Sequence, residues 1–179
     1  MKAGLPALLA GPTTIYTGAG DDTVSVVASA GAVGAILNGL LTVDLGPGNN
    51  TLVVNEVVNT ASDTLTVDPT QITGTGPQPF AINYAASGGS LGNLTLLAGQ
   101  AADTINVNVT PDSAYNLTVN AGPPGAGDIL NVSAPGASAV YDVVTSPGNG
   151  TVQVLYTGGS TSTINYLDFT QLFTDPPPG

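Results

Sequence analysis

The stretch GAGDDTVSV, from Gly18 to Val26, joins a glycine-rich turn and two aspartates to a run in which valine alternates with threonine and serine. An alternation with a period of two is typical of a β-strand with one buried face. Glycine and aspartate are residues that favour tight turns. The stretch therefore predicts a turn that leads directly into a half-buried strand.

The same turn-and-strand pattern recurs in GPGNNTLVV (46–54), GQAADTINV (99–107) and GPPGAGDILNV (122–132). The anchor residues before the four strands are Asp22, Asn50, Asp103 and Asp128, which are separated by 28, 53 and 25 residues. Since 53 is close to two steps of about 26, these intervals predict a repeated unit of that length. Alternating runs predict further strands at 40–45, 64–67, 81–84, 94–97, 117–119, 140–144, 151–156 and 163–166.

These signals predict an all-β fold, because no stretch has a convincing helical period. A regular interval between anchors is typical of a parallel β-solenoid, in which equivalent residues of successive turns stack in ladders. An antiparallel β-sandwich is the alternative, since its strands alternate in the same way without needing a regular interval. We divide the chain into an N-terminal segment 1–13, which is either an added strand or a signal remnant, a β-repeat domain 14–173, and a Pro-rich linker 174–179.

The charge of the chain excludes several classes of function. Twelve acidic residues face a single basic one, Lys2, which gives a net charge of −11, and there is no histidine and no cysteine. Such a surface repels phosphate groups, so we expect no nucleic-acid partner, and the N-terminal apolar run is too short for membrane insertion. Without histidine, cysteine or a second cation, neither a Ser-His pair nor a cationic clamp can form, so we predict that the chain is not an enzyme.

Divalent cations are the ligands that this charge favours. The turn Gly18 to Thr23 is similar to half of the calcium-binding nonapeptide of RTX proteins, in which glycines let carbonyl groups converge and aspartate supplies a carboxylate. We therefore take Asp21, Asp22, Asp103 and Asp128 as candidate metal ligands, provided that a lateral stack brings them together. The alternative is that these side chains bond backbone amides of turns. No cofactor is required, and calcium is the candidate ion.

The segments GAGDDTVSV, LLTVDLGPGNNTLVV, SDTLTVDPTQITGTG and AADTINVNV resemble the Gly- and Asp-rich β-repeat regions of very large secreted proteins of planctomycetes and similar bacteria. The resemblance implies an extracellular, repetitive β-solenoid without established catalytic activity.

We accordingly predict a structural segment on the cell surface, a stalk, spacer or matrix component that self-associates into filaments or packs on neighbouring repeats of its parent chain. A calcium-binding module is one alternative. A carbohydrate-binding surface domain is another, and it would need a carboxylate-lined cleft with an exposed tyrosine.

Overall fold

The computed structural model describes residues 2–4, 11–28, 31–37, 39–111, 116–123 and 127–175. These residues are all-β apart from a short 3-10 turn at Val33–Ala35. No helix among them is long and apolar enough to cross a membrane. The strands are β1 Lys2–Gly4, β2 Thr13–Tyr16, β3 Thr23–Val27, β4 Leu40–Asp44, β5 Asn49–Asn55, β6 Thr64–Asp68, β7 Gln71–Thr75, β8 Phe80–Ala85, β9 Ser90–Leu97, β10 Thr104–Asn108, β11 Asn116–Asn120, β12 Ile129–Ser133, β13 Ala137–Ser146, β14 Asn149–Tyr156, β15 Thr161–Leu167 and β16 Gln171–Thr174.

The strands form two eight-stranded sheets. The first sheet has the order β1-β3-β5-β9-β11-β15-β14-β13, and the second has the order β16-β12-β10-β6-β7-β8-β4-β2. From β2 to β6 the chain alternates strictly between the two sheets, and it does so again from β9 to β12. Strands that are neighbours in one sheet and are separated by such a crossover pair in parallel. Parallel pairing requires a crossover, because two parallel strands cannot be joined by a tight turn.

Antiparallel pairing is confined to two places, β6–β7–β8 in the second sheet and β13–β14–β15 in the first. In both, consecutive strands stay in one sheet and are joined by hairpin turns. Each sheet is therefore mixed, unlike the wholly antiparallel sheets that the β-sandwich alternative expected.

The core lies between the inner faces of the two sheets. In the strands that line the core, alternate residues point inward, and the equivalent inward residues of paired strands lie side by side. In the first sheet one such row consists of Val24, Leu52, Leu94, Leu117 and Ile164, each at most 1% exposed. Threonine and asparagine occupy the alternating outward positions, so the sequence pattern and the burial pattern coincide.

The predicted constant step of about 26 residues is wrong. Asp22 and Asn50 lie at the starts of neighbouring strands of the first sheet, whereas Asp103 and Asp128 precede neighbouring strands of the second. The motif marks entry into a strand of either sheet, so the interval between Asn50 and Asp103 joins positions that are not equivalent. Insertion of the hairpin β7–β8 also lengthens one step, from Asp63 to Asp103, to 40 residues.

The predicted domain limits, 14 and 173, fall inside β2 and β16. Part of the N-terminal segment, Lys2–Gly4, forms a strand that pairs in parallel with β3 of the same chain. The apolar residues 5–10 and the end of the predicted linker, 176–179, lie outside the described residues.

Candidate functional site

Three aspartates form a hydrogen-bonded ladder where the chain enters the second sheet. Asp63, Asp103 and Asp128 directly precede β6, β10 and β12, which are neighbours in that sheet. The N–H of Asp63 donates to Oδ1 of Asp103 at 2.8 Å, and the N–H of Asp103 donates to Oδ1 of Asp128 at 2.8 Å. The carboxyl groups of Asp103 and Asp128 thus each accept from the backbone of the equivalent residue one step away. We call this set the second-sheet ladder.

The carboxyl groups of Asp103 and Asp63 also accept hydrogen bonds from the turns that precede their strands. Oδ2 of Asp103 accepts from the N–H of Gly99 at 3.0 Å, and Oδ2 of Asp63 accepts from the side-chain amide of Asn59. Asp128 ends the series, and its carbonyl oxygen accepts from the hydroxyl of Thr170 at 2.7 Å. A short carboxyl side chain suits both tasks, because it reaches back to the preceding turn and sideways to the next strand.

A similar but shorter ladder lies where the chain enters the first sheet. The N–H of Asp22 donates to Oδ1 of Asn50 at 2.9 Å, and Nδ2 of Asn50 donates to the carbonyl of Gly46 at 3.0 Å. Next to it, Oδ1 of the exposed Asp21 accepts from the N–H of Asn49 at 2.8 Å. Oδ1 of Asp21 and Oδ1 of Asn50 therefore both accept from backbone amides of the neighbouring turn, 28 residues away along the chain.

The four predicted metal ligands are divided between the two ladders. The chain leaves the second sheet and enters the first on one side of the stack, and it crosses back on the other side. Asp21 and Asp22 therefore lie on the opposite side from Asp103 and Asp128, and the lateral stack that calcium required does not form. Within the described part of the chain, no group of three or more acidic side chains is arranged to hold a metal ion.

Glu56 is the buried acid that the sequence analysis did not single out. It follows β5, is fully buried, and accepts from the N–H of Val33 through Oε1 at 2.6 Å. Its Oε2 has no hydrogen-bond partner among the described residues. Burial raises the pKa of Glu56, the N–H of Val33 opposes this rise and the negative charges of Asp63 and Asp103 reinforce it, so that the pKa lies at about 7. The only available signal was that Glu56 is the single glutamate, placed directly after an alternating strand.

Burial also raises the pKa values of the second-sheet ladder. For Asp103, loss of solvation outweighs the two backbone N–H groups that it accepts from, and the charges of Asp128 and Asp63 act in the same direction as burial. Burial likewise raises the pKa of Asp63 and of Asp128. Since no basic side chain lies after Lys2, these groups gain no cationic partner from the rest of the chain. The raised pKa values favour the protonated forms of these carboxyl groups, and the hydrogen bonds of the ladder connect neighbouring turns.

Comparisons with protein-family models, with curated proteins and with solved structures find no match for this chain. The resemblance to secreted β-repeat regions therefore stays a prediction from the sequence, and the functional argument depends on the geometry of the chain itself.

Proposed function

We propose that this chain is an extracellular structural segment, a stalk, spacer or matrix component, whose strands are wound as a β-solenoid that associates end to end. One observation carries the proposal: equivalent residues of successive parallel strands lie in register, both in the apolar core rows and in the polar ladders. Such stacking is the defining property of repeat architectures in which each unit contacts only its neighbours.

The order of the strands supports the solenoid. A parallel neighbour in one sheet is reached by a crossover through the other sheet, so the chain winds around the core. The hairpin β7–β8 is then an insertion into the winding, with β6 on one side of it and β4 on the other, whereas β13–β14 lies at the end of the first sheet.

The end of the stack formed by β13 and β16 favours association. β13 is the last strand of the first sheet and is paired on one side only, by β14. Its residues Tyr141, Val143 and Val144 are 54%, 54% and 62% exposed, and Phe173 of β16 is 55% exposed. A long, apolar edge strand is a template for pairing with another chain, since its free backbone groups and its side chains both gain partners.

The charge composition fits a location outside the cell. With Lys2 as the only basic residue, proteases that cleave after lysine or arginine find no site in the body of the chain. A net charge of −11 keeps the outer faces soluble, so that contacts between copies would be made through backbone and apolar groups at the ends of the stack.

Negative-stain electron microscopy of the purified chain, with and without millimolar calcium, tests the assembly. We expect filaments from the natural sequence and discrete particles from Val144→Lys, because lysine on an edge strand opposes pairing. Gln153→Lys is the matched control, since it adds the same charge to an exposed position on β14, one strand away from the edge. Discrete particles from the natural sequence in both conditions would contradict end-to-end association, and filaments from Val144→Lys would contradict pairing through β13.

Antibody labelling of cells of the source organism tests the location. The proposal expects the label on intact cells. Label that appears only after permeabilisation would refute an extracellular role.

A further inference from the structure

A cavity of about 710 Å³ opens on the second sheet. It lies where β2, β4 and β8 end, beside the turn between β6 and β7. Its size is within the range of small-molecule sites, which are typically about 300–1,000 Å³. The polar residues in its lining include Tyr16, Asp44, Asp68, Thr70, Gln71 and Asn83.

Asp44 is held in place as an ionised acceptor. Its Oδ1 accepts from the N–H of Ser87 at 3.0 Å and from the N–H of Gly46 at 3.1 Å. These bonds, first that of Ser87 and then that of Gly46, together with the Ser87 hydroxyl, keep the pKa of Asp44 below its usual value. A carboxylate has about four acceptor positions, so Asp44 retains capacity for a ligand donor.

The other polar groups of the cavity are positioned by their neighbours. Nε2 of Gln71 donates to Oδ1 of Asn83 at 2.6 Å, which fixes both amides. Nδ2 of Asn108, from β10, donates to Oδ1 of Asp68 at 2.7 Å. The amide of Asn83 therefore keeps its N–H donors for a ligand, and the second carboxyl oxygen of Asp68 is an acceptor.

Tyr16 supplies an aromatic face at the rim of the cavity. It is 74% exposed, the most exposed of the large apolar side chains in the described part of the chain. It ends β2, the edge strand of the second sheet, and it is in register with Asp44 of β4. The ring of Tyr16 is therefore open to a ligand and lies next to the fixed acceptor Asp44.

We propose that this cavity binds a neutral carbohydrate, with a sugar ring against Tyr16 and its hydroxyl groups hydrogen-bonded to Asp44, Asp68 and Asn83. Sugar hydroxyls both donate and accept, which matches a lining that offers carboxylate acceptors and amide donors together. An anion would be repelled by the two carboxylates. A cationic amine would satisfy the carboxylates but would leave the amide donors of Asn83 without acceptors.

Asp44 is proposed to bind the sugar and not to act as the acid of a glycosidase. Glycoside hydrolysis needs a carboxyl group that is still protonated at the working pH, so that it can act as the general acid. The backbone amides around Asp44 have the opposite effect, because they stabilise its ionised form. Binding of this kind would let a surface segment adhere to a polysaccharide matrix.

Affinity electrophoresis of the full 179-residue chain through gels containing a soluble β-glucan, α-glucan or galactomannan tests the proposal. We expect at least one polysaccharide to retard the chain, and we expect Tyr16→Ala to weaken that binding about tenfold, since loss of one aromatic contact costs roughly one such factor. Val57→Ala is the control, because Val57 is also an exposed apolar side chain and lies outside both the cavity lining and β13. Tyr16→Phe keeps the ring and should retain binding.

Far-UV circular dichroism of each variant separates loss of binding from loss of folding. No retardation in any gel would overturn the proposal, and so would equal retardation of the natural chain and the folded Tyr16→Ala variant. Spermidine is the competing probe: binding of spermidine that depends on Tyr16, with no response to any polysaccharide, would assign the cavity to cationic amines instead.

Discussion

Replacing Glu56 with glutamine should remove part of the pH dependence of folding. In the folded chain the pKa of Glu56 is raised from 4.5 to about 7 by burial and by the charges of Asp63 and Asp103. Between these two pH values the folded chain holds a proton that the unfolded chain has released. The resulting stability is fully present below the unfolded pKa and is lost as the pH rises through the folded pKa.

The size of the effect follows from the shift. At 1.36 kcal/mol per pH unit, raising the pKa of Glu56 from 4.5 to about 7 makes ionisation of the folded chain cost about 3 kcal/mol of stability. Glu56→Gln keeps the shape and an oxygen that can accept from the N–H of Val33, but it cannot ionise. We therefore expect the two proteins to be similar in stability at about pH 5, and the variant to be more stable by up to about 3 kcal/mol at about pH 8.

Urea denaturation followed by far-UV circular dichroism, at both pH values, measures this difference. Asp21→Asn is the control, because it removes the same charge from an exposed carboxylate and keeps an acceptor for Asn49. The raised pKa values of Asp63, Asp103 and Asp128 give the natural chain and all variants a common loss of stability with rising pH. Glu56 accounts only for the additional loss of stability that the natural chain shows, relative to Glu56→Gln, as the pH rises. Parallel pH profiles for the natural chain and Glu56→Gln would refute the reasoning.

Three further changes test the ladders and the turns. Asp103→Ala leaves two buried N–H groups without an acceptor, so urea denaturation should show a loss of about 1–3 kcal/mol for each, and Asp103→Asn, which keeps one acceptor oxygen, should lose less. Gly46→Ala puts a methyl group 2.1 Å from the carbonyl of Gly18, whereas Gly136→Ala meets open space at a similar positive φ. We expect Gly46→Ala to lower the free energy of unfolding by about 1–3 kcal/mol more than Gly136→Ala does. Equal melting temperatures of the two variants would show that the turns do not stack closely. Because backbone amides occupy the turn carboxylates, millimolar calcium should leave the melting temperature unchanged, whereas a site filled at a hundredfold excess over its Kd would add about 2.7 kcal/mol.

The local elements of this fold are readable from the sequence because alternation and turn residues are local signals. The predicted strands at 23–27, 40–45 and 64–67 differ by at most one residue from β3, β4 and β6. β7 was missed, since its run QITGT contains Gly74, at which a side chain would collide with the ring of Phe80. The all-β class can therefore be predicted from the sequence, whereas the pairing of the strands cannot.

The division of strands between two sheets could not be predicted, because the same Gly-Asp turn precedes strands of both. Asp63 and Asp103 meet only through the parallel pairing of β6 with β10, across 40 residues of chain. For the same reason the sequence could not predict that Asp22 and Asp103 lie in different ladders, nor that Glu56 lies near the second-sheet ladder. Tyr16 carried no signal beyond its place at the end of a short strand.

The two hairpin regions have a consequence for how the chain folds. In β6–β7–β8 and β13–β14–β15, strands adjacent in sequence are adjacent in space, so their loops close at little entropic cost. Every parallel pair instead requires ordering of a long intervening segment before any bond between its strands is gained. We expect these hairpins to form first and to act as two nuclei from which the parallel turns grow, so that the antiparallel interruptions of the repeat are the places where its assembly starts.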